Sequence, residues 1–288
     1  MPTAQNAEMS PTVRTMRREE LDTAIDLAAA EGWNPGLHDA TAFWAADPEG
    51  FLVAEVDGEP AGCISAVSYG DGFGFIGLYI VRPHLRGHGV GRLLWAAGNE
   101  RLAGQLVGLD GVPAQQDYYR RKGFTLAWQN ARFGGAAGGS GDAPAQIVPL
   151  HSVDAKTLRA DDRRVFPTAR NAFLDAWTSQ PDATGLAWWE QDRLRGWGVI
   201  RPARDGHKIG PLVADGPTVA ESLYDALTGA VRAGAPVYLD VPLPNDAARG
   251  LAEAKGLTPG FETARMYTGA APDVELDRVY GVTTFELG

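Results

Sequence analysis

Cysteine, histidine, basic charge and long apolar runs are all scarce in this chain, and each shortage removes a class of explanation. The single cysteine, Cys63, excludes a disulfide framework within the chain. It sits inside an apolar stretch and reads as a small buried residue. The five histidines, His38, His84, His88, His151 and His207, show no metal-ligand spacing, so no metal is expected. No apolar run approaches the length needed to span a bilayer, so no membrane partner is expected. The opening residues MPTAQNAEMS lack a basic-then-apolar signal pattern. A cytoplasmic protein is the simplest reading. Lys and Arg number 26 against 36 Asp and Glu, a net charge of −10. That balance argues against a nucleic-acid partner, because phosphate neutralisation needs a basic face. It is mildly compatible with a cationic amine substrate.

What the chain does have is length, apolar content and one glycine-rich motif. Its 288 residues, 44% of them apolar, suit two domains with real cores. Arg86-Gly87-His88-Gly89-Val90-Gly91 follows a strongly apolar run, Phe73 to Val81, and opens an amphipathic one, Val90 to Leu102. A strand feeding a helix through such a turn presents bare backbone N–H groups at the helix's positive end, a ready phosphate site. Arg86 adds a cation able to fork two phosphate oxygens. The spacing excludes a P-loop, because Arg92-Leu93 stands where Lys-Ser or Lys-Thr is needed. It excludes the dinucleotide fingerprint as well, because Arg92 occupies the place of the third glycine.

Apolar periodicity places elements around the motif. Thr12 to Met16 reads as a strand and Glu19 to Ala30 as a helix with Leu21, Ala24, Ile25 and Ala28 inward. Phe51 to Val56 and Ala61 to Tyr69 flank Asp57-Gly58, a hairpin signal. The helix after the motif buries Val90, Leu93, Leu94 and Ala97 in this reading. A short strand, Leu106 to Leu109, and a polar helix, Ala114 to Lys122, follow, and Gly123 fits as a helix C-cap.

The strand Gly77-Leu78-Tyr79-Ile80-Val81-Arg82-Pro83 followed by Arg-x-x-Gly-x-Gly resembles the acyl-CoA-binding motif of the GNAT superfamily of N-acetyltransferases. The resemblance covers roughly residues 10–134 and implies the element order β-α-α-β-β-β-α-β-α. It implies acetyl-CoA as co-substrate, held at Arg86, Gly87, His88, Gly89, Val90, Gly91 and Arg92, with His88 a solvent-facing filler. Ile80 would offer a backbone N–H to the thioester oxygen, and Val81 would meet the pantetheine arm. Tyr119, five residues before Phe124 of Gly123-Phe124, matches the tyrosine that reaches the CoA sulfur; its neighbour Tyr118 does not. Many family members carry a glutamate on the motif strand, but Phe75 to Val81 has none. Asp110 is the nearest acidic candidate for a base, with a turn-forming role as its alternative. Val112-Pro113 stands where many members place an asparagine on pantetheine. The acceptor wall would be Trp33 and Asn34, after the first helix, with Tyr79 on the motif strand. The implied activity is acetyl transfer to a small-molecule amine. A longer acyl-CoA, a protein lysine, or a non-catalytic acyl-CoA-binding regulator are the rivals, and a homodimer is open.

Residues 133–145, FGGAAGGSGDAPA, have linker composition. Beyond them the chain repeats itself at an offset of about 133 residues. Ile76-Gly77 matches Ile209-Gly210, Gly123-Phe124-Thr125 matches Gly256-Leu257-Thr258, and Ala131-Arg132 matches Ala264-Arg265. Leu109-Asp110 matches Leu239-Asp240 after a shift of three. A tandem duplication follows: residues 10–134, a linker at 135–145, and residues 146–288. At constant offset Arg86, Gly89 and Gly91 fall on Val219, Ser222 and Tyr224, and Tyr119 falls near Ala252, so the second copy has lost the cradle. The expected fold is α/β with a mixed sheet, in two tandem GNAT-type domains, each a mostly antiparallel sheet flanked by helices. The second, degenerate domain would wall the pocket of the first. Residues 282–288 are expected to form a final strand.

Overall fold

The computed structural model describes residues 10–138 and 143–288; residues 139–142 of the expected linker lie outside them. The first half runs β1 (Thr12–Thr15), α1 (Glu20–Ala30), α2 (Asp39–Ala46), β2 (Phe51–Val56), β3 (Glu59–Gly70), β4 (Phe73–Val81), α3 (Val90–Arg101), β5 (Leu106–Gly111), α4 (Gln116–Arg121) and β6 (Thr125–Ala136). The second repeats the order: β7 (Ile147–Pro149), α5 (Ala155–Val165), α6 (Asn171–Thr178), β8 (Thr184–Glu190), β9 (Arg193–Pro202), β10 (His207–Ala214), α7 (Pro217–Gly229), β11 (Pro236–Pro242), α8 (Asp246–Ala254) and β12 (Thr258–Tyr267). A short β13 (Val279–Gly281) has no counterpart in the first half.

Local patterning explains most elements. Helix α1 buries Leu21, Ala24, Ile25 and Ala28, the face its period predicts. Helix α3 differs from expectation: it buries Val90, Leu94, Trp95 and Gly98, while Leu93 is 37% exposed. Gly98 is the reason. A Cβ there would stand 3.2 Å from Ile64 Cδ1, so the helix settles close onto β3 through that position and its inner face turns by one residue.

The strands form one 13-stranded sheet in the order β1-β2-β3-β4-β5-β12-β6-β11-β10-β9-β8-β7, with β13 against β10. The last strand of each half has changed places. Strand β6 pairs with β11, β12 pairs with β5, and β6 and β12 pair antiparallel with each other. Thr263 lies opposite Asn130, flanked by Ala264 opposite Gln129 and Glu262 opposite Ala131. Those pairings are symmetric under the 133-residue offset, so a pseudo-twofold passes through Asn130 and Thr263. The start of the expected linker is therefore strand. A side chain at Gly135 would meet Leu257 Cδ2 at 2.6 Å, so glycine there reflects close packing.

Two equivalent ion pairs bridge the exchanged strands. Arg132 on β6 donates to Asp240 on β11 at 2.6 and 2.8 Å, and Arg265 on β12 donates to Asp110 on β5 at 2.9 and 2.7 Å. A third buried pair, Arg201 to Asp39 at 2.7 Å, ties β9 to α2 and lies over the Trp177 ring. Phe43 of α2 stacks on Trp177 of α6, so one apolar core runs through both halves.

The segment expected as a strand at 282–288 differs. Strand pairing is confined to Val279–Gly281 along β10, and residues 282–288 turn instead. All of 279–288 is buried. Tyr69 Oη on β3 donates to the Leu287 carbonyl at 2.9 Å, which fastens this segment to the first half.

Removing one member of a bridging pair leaves the other buried and uncompensated. Asp240→Ala should lower unfolding free energy by about 3–5 kcal/mol. Asp117→Ala, which breaks the surface pair with Arg120, should lower it by less than ~1 kcal/mol. Urea denaturation of both variants checks this; equal losses would show that burial adds nothing to the cost of breaking the pair.

Candidate functional site

Strands β4 and β5 run parallel and pair only from Phe73 to Ile76 against Leu106 to Leu109. After Gly77, Leu78 takes φ +45° and the register with β3 shifts between Cys63 and Ser65. Such a bulge re-aims a strand and breaks its ladder. The strands part, and a cavity of about 520 Å³ opens between them. Gly77, Leu78, Tyr79, Ile80 and Val81 line one side, Leu109, Asp110 and Tyr119 the other, and Arg86 and Gly87 the mouth. The second half supplies Phe261 and Thr263 from β12 together with Phe285 and Glu286; Arg132 and Trp33 complete that end.

At the mouth, Gly87 and Gly89 have φ of +84° and +88°, a region that excludes most side chains. No atom lies within 4 Å of a Cβ placed at either. Helix α3 starts at Val90, and its first intrahelical bond runs from Leu93 N to Gly89 O at 3.2 Å. The amides of Val90, Gly91 and Arg92 therefore have no partner within the helix, which is the arrangement that receives an anion. The Val90 side chain is buried in the core, so only its backbone faces the mouth. His88 and Arg92 are exposed beside the turn. Arg86 Nε donates to Val81 O at 2.9 Å, and its guanidinium pairs with Glu31.

Deeper in, Tyr119 is 8% exposed. Its ring lies tilted against Trp95 and covers Gly111, where a Cβ would stand 2.7 Å away. Burial pushes the Tyr119 phenol well above its ordinary value, so the hydroxyl keeps its proton at neutral pH. Burial raises Tyr79 likewise. The Asp110 side chain is fully buried and accepts from Arg265 and, at 2.8 Å, from Asn130 Nδ2. Burial pushes its carboxyl up against the pull of the Arg265 guanidinium. Ile80 meets the buried Cys63 thiol across the β3–β4 pairing. Trp33 lines the cavity, and its carbonyl accepts from Arg132 at 2.7 Å.

Asn34 is placed elsewhere. Its amide donates to Asp205 O at 2.9 Å and accepts from Asp205 N at 2.8 Å, docking its loop on the β9–β10 turn. Arg132, Phe261, Thr263, Phe285 and Glu286 entered the site unannounced. The one signal in the sequence was the offset pairing of Arg132 with Arg265 and of Asp110 with Asp240, and it did not say that the pairs cross between halves.

The second half has the same parting of strands and fills it differently. Strands β10 and β11 pair from His207 to Ile209, then separate, and β13 enters beside β10. Val282 N donates to Asp240 O at 2.8 Å, and a Cβ at Gly281 would meet Leu239 Cδ1 at 2.5 Å. The connection from β10 to α7 is only residues 215 and 216, against residues 82–89 in the first half. The glycine cradle is thus deleted rather than substituted, and Val219, Ser222 and Tyr224 lie within α7. Ala252 does stand in the place of Tyr119: Leu257 N bonds to Ala252 O as Phe124 N bonds to Tyr119 O.

Among the described residues no helix is long and apolar enough to cross a membrane, and no cluster of His, Cys, Asp and Glu could hold a metal ion. Residues 14–124 match the profile of the acetyltransferase (GNAT) family, and residues 158–281 match an acetyltransferase (GNAT) domain. The chain is 31% identical to the holothin acyltransferase of a Pseudoalteromonas species over 271 residues, covering 94% of this chain and 92% of that one. Among solved structures, it is similar to a putative acetyltransferase from Pyrococcus horikoshii at TM-score 0.82, with 19% identity, 100% of this chain and 99% of that one covered. It also resembles a tandem GNAT protein from the clavulanic acid biosynthesis pathway, at TM-score 0.62 and 14% identity, covering 91% and 100% of the two chains. These two likenesses carry the fold.

Proposed function

The chain belongs to the GNAT family of acyltransferases, and from that membership we propose that it moves the acetyl group of acetyl-CoA to a primary amine of a small molecule. Both substrates bind together and the amine attacks directly. The observation that carries this reading is the continuous cavity from the glycine turn, along the bulged strand β4, to the buried Tyr119.

Residues 10–134 hold the acetyl-CoA in this reading, and residues 146–288 complete the wall. The free amides at the start of α3 and the Arg86 guanidinium receive the pyrophosphate, with Gly87, His88, Gly89 and Gly91 leaving the backbone bare and Arg92 adding positive charge. Arg86 leaves Glu31 to do so. The pantetheine arm lies along Val81 and Ile80, in the gap where β5 no longer pairs. A backbone N–H of the bulged stretch, at Ile80 by position, polarises the thioester carbonyl. Tyr119, kept protonated by burial, supplies a proton to the departing thiolate. A binding protein without catalysis has no need of such a group. Trp33 and Tyr79 flank the acceptor, while Asn34 shapes its wall by holding the loop. Asp110 is the acid that the motif region offers as a base; burial raises its carboxyl, while two bonds from Arg265 hold it as a carboxylate partner.

Two experiments test the reading. Calorimetry should return one acetyl-CoA site per chain, because the second half has no cradle and β13 occupies its gap. Gly89→Val should weaken that binding at least about tenfold, since a β-branched residue is strained at φ +88° and intrudes on the anion. Two equivalent sites would refute the assignment. Tyr119→Phe should lower kcat by about 10²–10⁴ while acetyl-CoA affinity holds within about twofold, the range general acid catalysis commonly supplies. The assay is thiol release from acetyl-CoA across a panel of amines; unchanged turnover in this variant would remove Tyr119 from the chemistry.

A further inference from the structure

We propose that Glu286, brought in from the second half, receives the acceptor's ammonium group and takes its proton, and that the acceptor carries this amine on a flat apolar body. The proposal rests on the acyl-transfer reading above.

Three carboxylates line the cavity, and two have cationic partners. Glu31 pairs with Arg86 at the mouth, and Asp110 holds Arg265 through two bonds. Taking a proton at Asp110 would unmake a buried ion pair. Glu286 is 3% exposed, and among the described residues only the Thr284 hydroxyl donates to its carboxylate. Among the described residues, no arginine or lysine lies within ion-pair distance of it. The other charges packed around it are matched: Arg265 with Asp110, and Arg132 with Asp240. Lys208 Nζ is 3.6 Å from Asp240 with no acceptor in bonding geometry, and burial pushes its ammonium towards the neutral form. Arg132 and Lys208 feel its charge without reaching it, and a buried carboxylate with no cation bonded to it favours a cationic ligand.

Its placement suits transfer. A Cβ at Gly77 would stand 1.9 Å from Glu286 O, so this segment lies directly on β4 one residue before the bulge at Leu78. Only glycine lets it approach there. Phe261 and Phe285 line the same end, 6.2 Å apart, and Trp33 lines the cavity with them. The Arg132 guanidinium lies over both phenyl rings, 5.6 and 5.4 Å from their centroids, and the rings with Trp33 give this end an apolar surface suited to a flat body.

The protons balance. The ammonium gives one proton to Glu286, which releases it to solvent. The neutral nitrogen attacks the thioester carbonyl, the C–N bond forms, and the C–S pair leaves with sulfur. Tyr119 protonates that sulfur and regains a proton from the new amide nitrogen.

The test uses full-length protein with acetyl-CoA and 2-phenylethylamine, with ethanolamine as the amine lacking an aromatic body. Wild-type protein should acetylate 2-phenylethylamine with the higher kcat/KM. Glu286→Gln should keep acetyl-CoA affinity within about twofold and lose about 10²-fold or more in kcat/KM for the amine at neutral pH. That loss should shrink as pH rises towards the pKa of the amine, because neutral amine then arrives from solution; a purely structural loss would not change with pH. Glu286→Asp should recover part of the rate. If Glu286→Gln no longer binds acetyl-CoA, the aspartate variant carries the comparison through its own drop in kcat/KM at unchanged acetyl-CoA affinity. A glutamine variant with wild-type rate and pH profile would overturn the role of Glu286. No preference for 2-phenylethylamine over ethanolamine would overturn the acceptor class. Failure of the wild type to bind acetyl-CoA would instead strike the acyl-transfer reading itself.

Discussion

The exchange of β6 and β12, held by Arg132–Asp240 and Arg265–Asp110, is the constraint on which the rest of the molecule depends. A buried guanidinium is expensive to desolvate, and a carboxylate directly opposite on the neighbouring strand is what compensates it. In each half the compensating aspartate belongs to the other half. Neither last strand can therefore return to its own sheet alone without leaving an arginine and an aspartate unpaired; the two must move together. Breaking such a pair by removing one partner is costly, because the other is left buried and unpaired. Asn130, bonded to Asp110 and facing Thr263 across the pseudo-twofold, marks the centre of the β6–β12 pairing.

From this exchange the shape of the cavity follows. Because β12 lies beside β5, Phe261 and Thr263 reach a gap that first-half strands alone would leave open. The buried segment after β13 then crosses from β10 to β4, lays Glu286 against Gly77 and brings Phe285 to the cavity wall. Gly77 and Gly210 are equivalent by the repeat, and each has the same segment over it: Glu286 O at the first, Val282 O and Thr283 O at the second. One short segment thus fills the strand gap of the second half and furnishes one wall of the gap in the first. The two halves diverged in what occupies the gap, while keeping the backbone geometry that creates it.

The divergence is largely one of chain length. The first half retains residues 82–89, enough for a 3-10 turn and two glycines with positive φ before α3. The second retains two residues and starts its helix on Pro217, which has no amide to offer an anion. Alignment at constant offset placed Val219, Ser222 and Tyr224 at the lost cradle, because identity at fixed spacing cannot reveal a deletion that a later insertion restores.

Local features were legible in the chain before any contact was known. The α1 face at Leu21, Ala24, Ile25 and Ala28 follows from a 3.6-residue period, the Asp57-Gly58 turn from its need for positive φ, and the cradle from glycines between a strand and a helix. Each depends on residues close in sequence, whose energetics neighbours alone decide. The repeat was visible as well, since duplicated segments keep their order. Three-dimensional packing decided the remainder. Asn34 carries a free amide in sequence terms, and only the docked loop at Asp205 occupies it. Asp110 reads as a lone acid until Arg265, 155 residues away, is set opposite. Glu286 belongs to no motif, and its relation to Gly77 exists only once the two halves have exchanged strands. Charge and hydrogen bonding act through space and fall off with distance, so partners brought together by the exchange leave no periodic trace along the chain.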